Sequence, residues 1–176
     1  MRVNLNMIEK QNNNEITRKI TNVILTNQQK MLREDDLRNL CEGSDFDQII
    51  KSVYASLQNI GFELITTKFL DQKYYVLTSE GKDDAITPSQ YGTLAIILAL
   101  SKEVDENIQL SDLKELFSEV WSSDVEFLLD NDYLRKININ DLDIIKITPL
   151  GKATLKNIIH NINLKNLLEV FKNIKS

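Results

Sequence analysis

Two stretches decide how this chain is divided: Tyr75–Asp84, "YVLTSEGKDD", and Ile145–Thr154, "IKITPLGKAT". Each runs from an apolar strand into a Thr, two further residues and then Gly-Lys, 70 positions apart. The same ending written twice predicts two similar units, each closed by a strand at that point.

Working back from the first ending, "FELITTKFL" and "KYYVLTS" are rich in aromatic and β-branched residues and predict a hairpin around Asp71-Gln72. Before it, "GSDFDQIIKSVYASLQNIG" is the clearest helix in the chain. Ser44 and Asp47 read as its capping box, Phe46, Ile49, Ile50, Val53 and Leu57 as one apolar face, and Gly61 as its stop. "REDDLRNLC" predicts a shorter helix, with acids in the first turn where the helix dipole favours them. Met31-Leu32 is extended, and Ile16, Ile20, Val23 and Ile24 recur at helical spacing, predicting an amphipathic helix over 14–29. Residues 1–14, with Asn12-Asn13-Asn14 and few apolar anchors, read as disordered.

Beyond "EGKDDAIT" the series begins again. Thr87 caps and Pro88 opens a helix, "SQYGTLAIILALS", whose apolar residues surround it almost completely, as in a buried helix. Residues 102–109 read as a loop, "LSDLKELF" as a short helix after Ser111, and "SSDVEFLLDND" as a third helix capped by Ser122 or Ser123. "YLRKIN" and "LDIIKIT" predict a second hairpin around Asn140-Asp141, and "PLGKATLKNIIHNI" a closing helix. Helix, short strand, helix, helix and hairpin, twice over, is the winged-helix plan. The expected fold class is therefore α+β: tandem winged-helix domains, two three-helix bundles each with a β-hairpin wing. The expected divisions are a disordered N-terminus at 1–14, winged helices at 15–84 and 85–162, and a C-terminal amphipathic helix at 163–176. On that last helix Leu164, Leu167, Leu168 and Phe171 share one stripe, a face for its own body or for another subunit.

Composition narrows the function. The 42% apolar and 27% charged residues are the balance of a soluble globular chain. No apolar run approaches the ~20 residues that cross a bilayer, and no signal-peptide core precedes the first helix, so an intracellular protein is expected, in the cytoplasm or nucleoid of a prokaryote or the nucleus of a eukaryote. One cysteine, Cys41, excludes an internal disulfide and reads as a small buried apolar residue; with one histidine, His160, it cannot make a typical zinc site. The five glycines are isolated, with no phosphate-cradling loop, nucleophile elbow or cysteine–histidine cluster, so neither enzymatic activity nor a cofactor is expected.

Net charge is −5, yet Lys146–Ser176 holds six Lys against one Glu, leaving −10 on the remainder. The third helix of the first unit carries Asp45 and Asp47 against Lys51; that of the second carries Asp124, Glu126, Asp130 and Asp132 and no base. A winged helix reads the major groove with that helix, so these acids weigh against sequence-specific DNA binding. Lys68, Lys73, Arg135, Lys136, Lys146, Lys152 and Lys156 are the bases available for weak, salt-sensitive contact with a nucleic-acid backbone.

Tandem winged helices with acidic third helices resemble the kite proteins, the kleisin-interacting tandem winged-helix subunits of SMC complexes. "ITRKITNVILTNQQKMLREDDLRNL", "ASLQNIGFELITTKFLDQKYYVLTS", "GTLAIILALSKEVDENIQLSDLKELF", "FLLDNDYLRKI" and "ITPLGKATLKNII" resemble, in order, segments of the MAGE homology domain of the Smc-five-six complex, over roughly residues 15–162. "ITPSQYGTLAIILAL" also resembles the opening of the second unit of segregation-and-condensation protein B. Pro149 precedes Gly151 here, departing from the Gly-Pro-Arg order of the MAGE pattern. Either resemblance implies a non-enzymatic subunit that binds the kleisin linking the SMC ATPase heads and pairs with a second kite subunit. In the MAGE family two adjacent leucines of the first helix meet a RING-bearing partner; Ile24 and Leu25 stand there, open to that role or to a place in the core. The alternative is a winged-helix transcription regulator.

Overall fold

The structure, a computed structural model, describes residues 2–79 and 85–157, with residues 2–9 as backbone alone. The chain divides into two compact units at Lys82 and Asp83. Both are mixed α+β with small antiparallel sheets.

In the first unit α1 (Arg2–Thr26) is followed by β1 (Met31–Arg33), α2 (Glu34–Asn39), α3 (Phe46–Gln58), β2 (Phe62–Phe69) and β3 (Gln72–Ser79). The second runs α4 (Pro88–Glu103), β4 (Ile108–Gln109), α5 (Leu110–Leu116), a π-helical turn (Trp121–Val125), α6 (Glu126–Asp130), β5 (Leu134–Ile139), β6 (Leu142–Ile147) and α7 (Pro149–Thr154). The sheet orders are β1-β3-β2 and β4-β6-β5. In each unit the last strand lies in the middle: Val76 of β3 faces Met31 and Ile65, and Ile145 of β6 faces Ile108 and Lys136.

The apolar spacing of α3 places the five residues of its stripe in the core, with Val53 and Leu57 wholly shielded. They meet Ile16, Ile20 and Ile24 of α1, Leu37 of α2 and Leu64 and Tyr75 of the hairpin. Cys41 joins this cluster, where burial pushes its thiol upward, and its Sγ lies 3.6 Å from the Leu37 carbonyl. Gly61 sits at φ +81°, a left-handed conformation that suits a residue without Cβ beyond a helix end. Around α4 no residue from 90 to 101 is exposed, as the all-round apolar pattern requires. Thr87 and Gln90 close its capping box reciprocally, and Pro88 occupies the first turn.

Several local features differ from the sequence expectation. Residues 2–13 are helical and continuous with the rest of α1, where the spacing predicts a helix only from residue 14. No Gly or Pro interrupts them, and extending an existing helix fixes one residue per bond without a second nucleation. Asp45, not Ser44, caps α3, accepting from the Asp47 and Gln48 amides. The first hairpin turns at Leu70-Asp71, both left-handed (φ 47° and 61°), one residue before the expected place. The second turns at Asn140-Asp141 (φ 50° and 63°), as expected. Asn and Asp tolerate that conformation, whereas leucine's Cβ makes it unfavourable by ~1–2 kcal/mol. The 102–109 loop contains β4, which two residues could not announce, and α5 begins at Leu110, with no side-chain cap. Ser122 and Ser123 lie within the π-helical turn and cap nothing.

The two opening stretches also part company. Thr78 lies inside β3, while Thr148 follows β6 and caps α7 by accepting from the Gly151 amide at 3.1 Å. The Thr148 amide and hydroxyl both reach the Tyr133 carbonyl, each at 3.1 Å, and the hydroxyl also approaches the Asp132 carbonyl. Gly151 lies so close to the Tyr133 carbonyl oxygen that a Cβ there has no room, and the Ile147 side chain crowds it at 2.9 Å. Gly151→Ala is therefore expected to lower unfolding stability by about 2–3 kcal/mol through overpacking, read from the urea midpoint. An unchanged midpoint would show that α7 is not pressed against that carbonyl.

Candidate protein-interaction surface

The bases selected from sequence are largely engaged by carboxylates. Lys73 is 2.6 Å from Glu34, Arg135 2.8 Å from Asp132, Lys136 3.1 Å from Asp143 and Lys146 3.5 Å from Glu106. Lys152 is half-buried, and burial draws its ammonium below its ordinary value. Lys156 is half-buried, and Lys68 is exposed on β2 opposite Lys73 in register. The seven are thus split between the two units, with Lys68 beside Lys73 in one and Lys146 near Lys152 in the other. On the solvent face of α3 Lys51 stands with Asp47, Gln48 and Ser52; Glu126 and Asp130 are exposed on α6.

Asp124 departs from the sequence picture of an acidic outer face. It is buried, and its carboxylate accepts from Ser89 (2.6 Å), Thr93 (2.8 Å) and Ser123 (3.0 Å). Burial pushes this carboxyl up, but the three hydroxyl donors outweigh it and hold it below its ordinary value. Gln90 adds a bond from Nε2 to the Ser123 carbonyl at 2.9 Å, so α4 and the π-helical turn are tied at two points. The buried Gln90 and Thr93 of an otherwise apolar helix are explained by these bonds.

Glu34, the first residue of α2, gathers a second polar cluster. It lies 2.7 Å from Arg38 and 2.6 Å from Lys73, and accepts from the Tyr75 hydroxyl at 3.0 Å. Arg38 stacks over the Phe46 ring at 4.2 Å, and Lys73 sits 5.4 Å above that of Tyr75. Burial raises the Glu34 carboxyl, yet the bonds from Lys73, Arg38 and Tyr75 bring it down to about 2 from an ordinary 4.5. Tyr75 is pushed up to about 12, by burial first and then by its bond to Glu34. The cluster fixes α2 to the central strand and leaves no free acid–base pair.

The apolar surface is divided. Ile24 is buried in the core, while its neighbour Leu25 is 37% exposed. Only Leu25 of that pair is therefore available to a partner. Leu164, Leu167, Leu168 and Phe171 lie outside the described residues. Sequence reading passed over a groove in the second unit, where α4 ends and β4 leads into α5. Leu100, Ile108 and Leu113 line it with Val104 and Leu116, and Asp105 and Asp112 stand at its margin, enclosing about 150 Å³. Val104 is 71% and Leu116 60% exposed. The available signal was Val104 alone, a β-branched residue inside the polar loop "EVDEN".

Among the described residues no group of three or more His, Cys, Asp or Glu side chains is placed to hold a metal ion, and no helix is long and apolar enough to cross a membrane. The sequence matches no protein-family model and no curated protein.

Glu34 supplies a pH signature. A carboxyl that folding depresses adds stability above its unfolded value, here near 4.5, and loses it as pH falls toward about 2. Glu34→Gln is expected to lower stability at pH 7 by about 1–2 kcal/mol, a loss of charge-assisted bonds, with the difference from wild type shrinking between pH 4.5 and 2. Urea titrations of both proteins across that range check it; a difference independent of pH would remove Glu34 as the titrating group.

Proposed function

We propose that both units are winged helices and that the chain is a non-enzymatic accessory subunit of an SMC chromosome-maintenance complex, binding its kleisin and pairing with a second kite subunit. The observation that carries this is the repeated architecture, in which a helix, a short strand and two further helices precede a hairpin whose last strand takes the centre of the sheet. The ordered resemblance to the MAGE homology domain and to segregation-and-condensation protein B runs through the same elements.

The charge distribution supports a protein partner over DNA. A groove-reading helix needs bases aimed at phosphates and base edges. Here α6 spans five residues and exposes acids, α3 exposes one lysine, and four of the seven candidate bases are paired with carboxylates. Breaking such a pair to reach a phosphate exchanges one anion for another with little gain. Contact with DNA is then weak, non-specific and salt-sensitive. Affinity for a kleisin would come from burying apolar anchors, with acidic residues around them selecting among partners.

Capture of kleisin fragments by the full chain, beside a gel-shift titration on random and defined duplexes, tests the proposal. Stable kleisin capture is expected, together with duplex binding that ignores sequence and is gone by about 200 mM salt. Tight, sequence-selective duplex binding without kleisin capture would overturn it in favour of a transcription regulator.

A further inference from the structure

We propose that the groove formed by the end of α4, β4 and α5 is a docking site for a basic amphipathic helix, which seats one bulky apolar side chain in it. This deepens the functional proposal and rests on its reading of the chain as a protein-binding subunit. The volume, about 150 Å³, is that of a cavity able to hold a single benzene-sized group. The floor is apolar, from Leu100, Ile108 and Leu113, and Val104 and Leu116 form walls that present most of their surface to solvent.

The fold itself does not call for this exposure, because the first unit makes the same connection with polar residues. Between α1 and β1 run Asn27, Gln28, Gln29 and Lys30, and Asn27 Nδ2 donates to the Met31 carbonyl at 2.8 Å. Between α4 and β4 the first residue of the connection is Val104. Leu40 follows the start of α2 by six residues, as Leu116 follows that of α5, yet Leu40 is half-buried and Leu116 stands out. Two apolar side chains exposed around one hollow, where the sister unit has none at the turn, are suited to be covered.

Charge selects the occupant. From Lys102 to Glu119 the chain has six carboxylates against two lysines, and Lys146 pairs with one of the six, Glu106. Lys114 lies over the Trp121 ring at 5.4 Å, and neither residue lines the groove. Asp105 is held in place by accepting from the Asn107 amide at 2.7 Å. Lysine or arginine flanking the buried side chain would meet Asp105 and Asp112, whereas a phosphodiester backbone would be repelled. A helix presents an apolar anchor with bases one turn away on either side, and so suits an apolar hollow lined also by Asp105 and Asp112.

The test uses the full chain, isotopically labelled, and a 14-residue helical peptide of leucine and lysine with leucines at i, i+3, i+4 and i+7. A second peptide carries glutamate in place of lysine. The expected result is saturable amide shifts confined to residues 100–116, with the glutamate peptide at least ten-fold weaker. Val104→Asp and Leu116→Asp, both at exposed positions, should each weaken the lysine peptide at least ten-fold without moving the thermal midpoint. Shifts centred elsewhere, equal binding of the two peptides, or unaltered affinity in both variants would overturn the assignment. Self-association of the wild type that Val104→Asp abolishes would also overturn it, giving the groove to a second copy of the chain. Failure of the wild type to capture any kleisin sinks the functional proposal alone, since the peptide titration reports on the groove directly.

Discussion

A few backbone pairs hold each unit together: three between β1 and β3 in the first, two between β4 and β6 in the second. They join a short strand ahead of the second helix to the last strand of the sheet, and so fasten the helices to the hairpin. Without them β2 and β3, or β5 and β6, would be an isolated two-stranded ribbon, which is marginal in water. The pairing is stabilised less by its hydrogen bonds than by the burial around it. Met31 and Val76 are both buried where they face each other, and Ile145 is buried opposite a half-buried Ile108. The sheet order of each unit and the groove beside β4 depend on where those short strands anchor.

The bases are a second constraint. A chain with 21 lysines and arginines has ample charge for nucleic acid, but placement decides their use. Glu34, Glu106, Asp132 and Asp143 each draw one of the candidate bases into an intramolecular pair. At the partly exposed Asp132 and Asp143 such pairs contribute little to stability, so their consequence is chiefly electrostatic: they cancel local potential that would otherwise attract phosphates.

Much of this was legible from residue order. The stripe of α3, the Thr87–Pro88 start of α4 and the Asn140-Asp141 turn are local patterns whose physics is complete within a few residues. What escaped depends on distant partners. Asp124 looks like any surface acid until α4 brings Ser89 and Thr93 against it. Glu34 shows helix-start chemistry in sequence, but its bonds to Lys73 and Tyr75 come from a strand about forty residues on. The left-handed Leu70 contradicts its own propensity because the register of β2 against β3 dictates the turn. The groove was hidden because exposure of Val104 and Leu116 is a property of the assembled turn and not of either residue's type. Of the pair Ile24-Leu25, helical phase alone separates the buried member from the exposed one.

The junction between second helix and central strand is built differently in the two units. Glu34, at the head of α2, bonds Tyr75, whose strand partner Leu32 lies two residues before it. The equivalent places in the second unit are Leu110, at the head of α5, and Ile145, which faces Ile108. The first junction adds a charged cluster to its apolar core, whereas the head of α5 carries an apolar residue. Glu34 is half-buried, so salt screens its pairs only in part, and both junctions share the apolar burial that chilling weakens. A single polypeptide thus carries one plan in two chemistries at the head of the second helix, polar at Glu34 and apolar at Leu110.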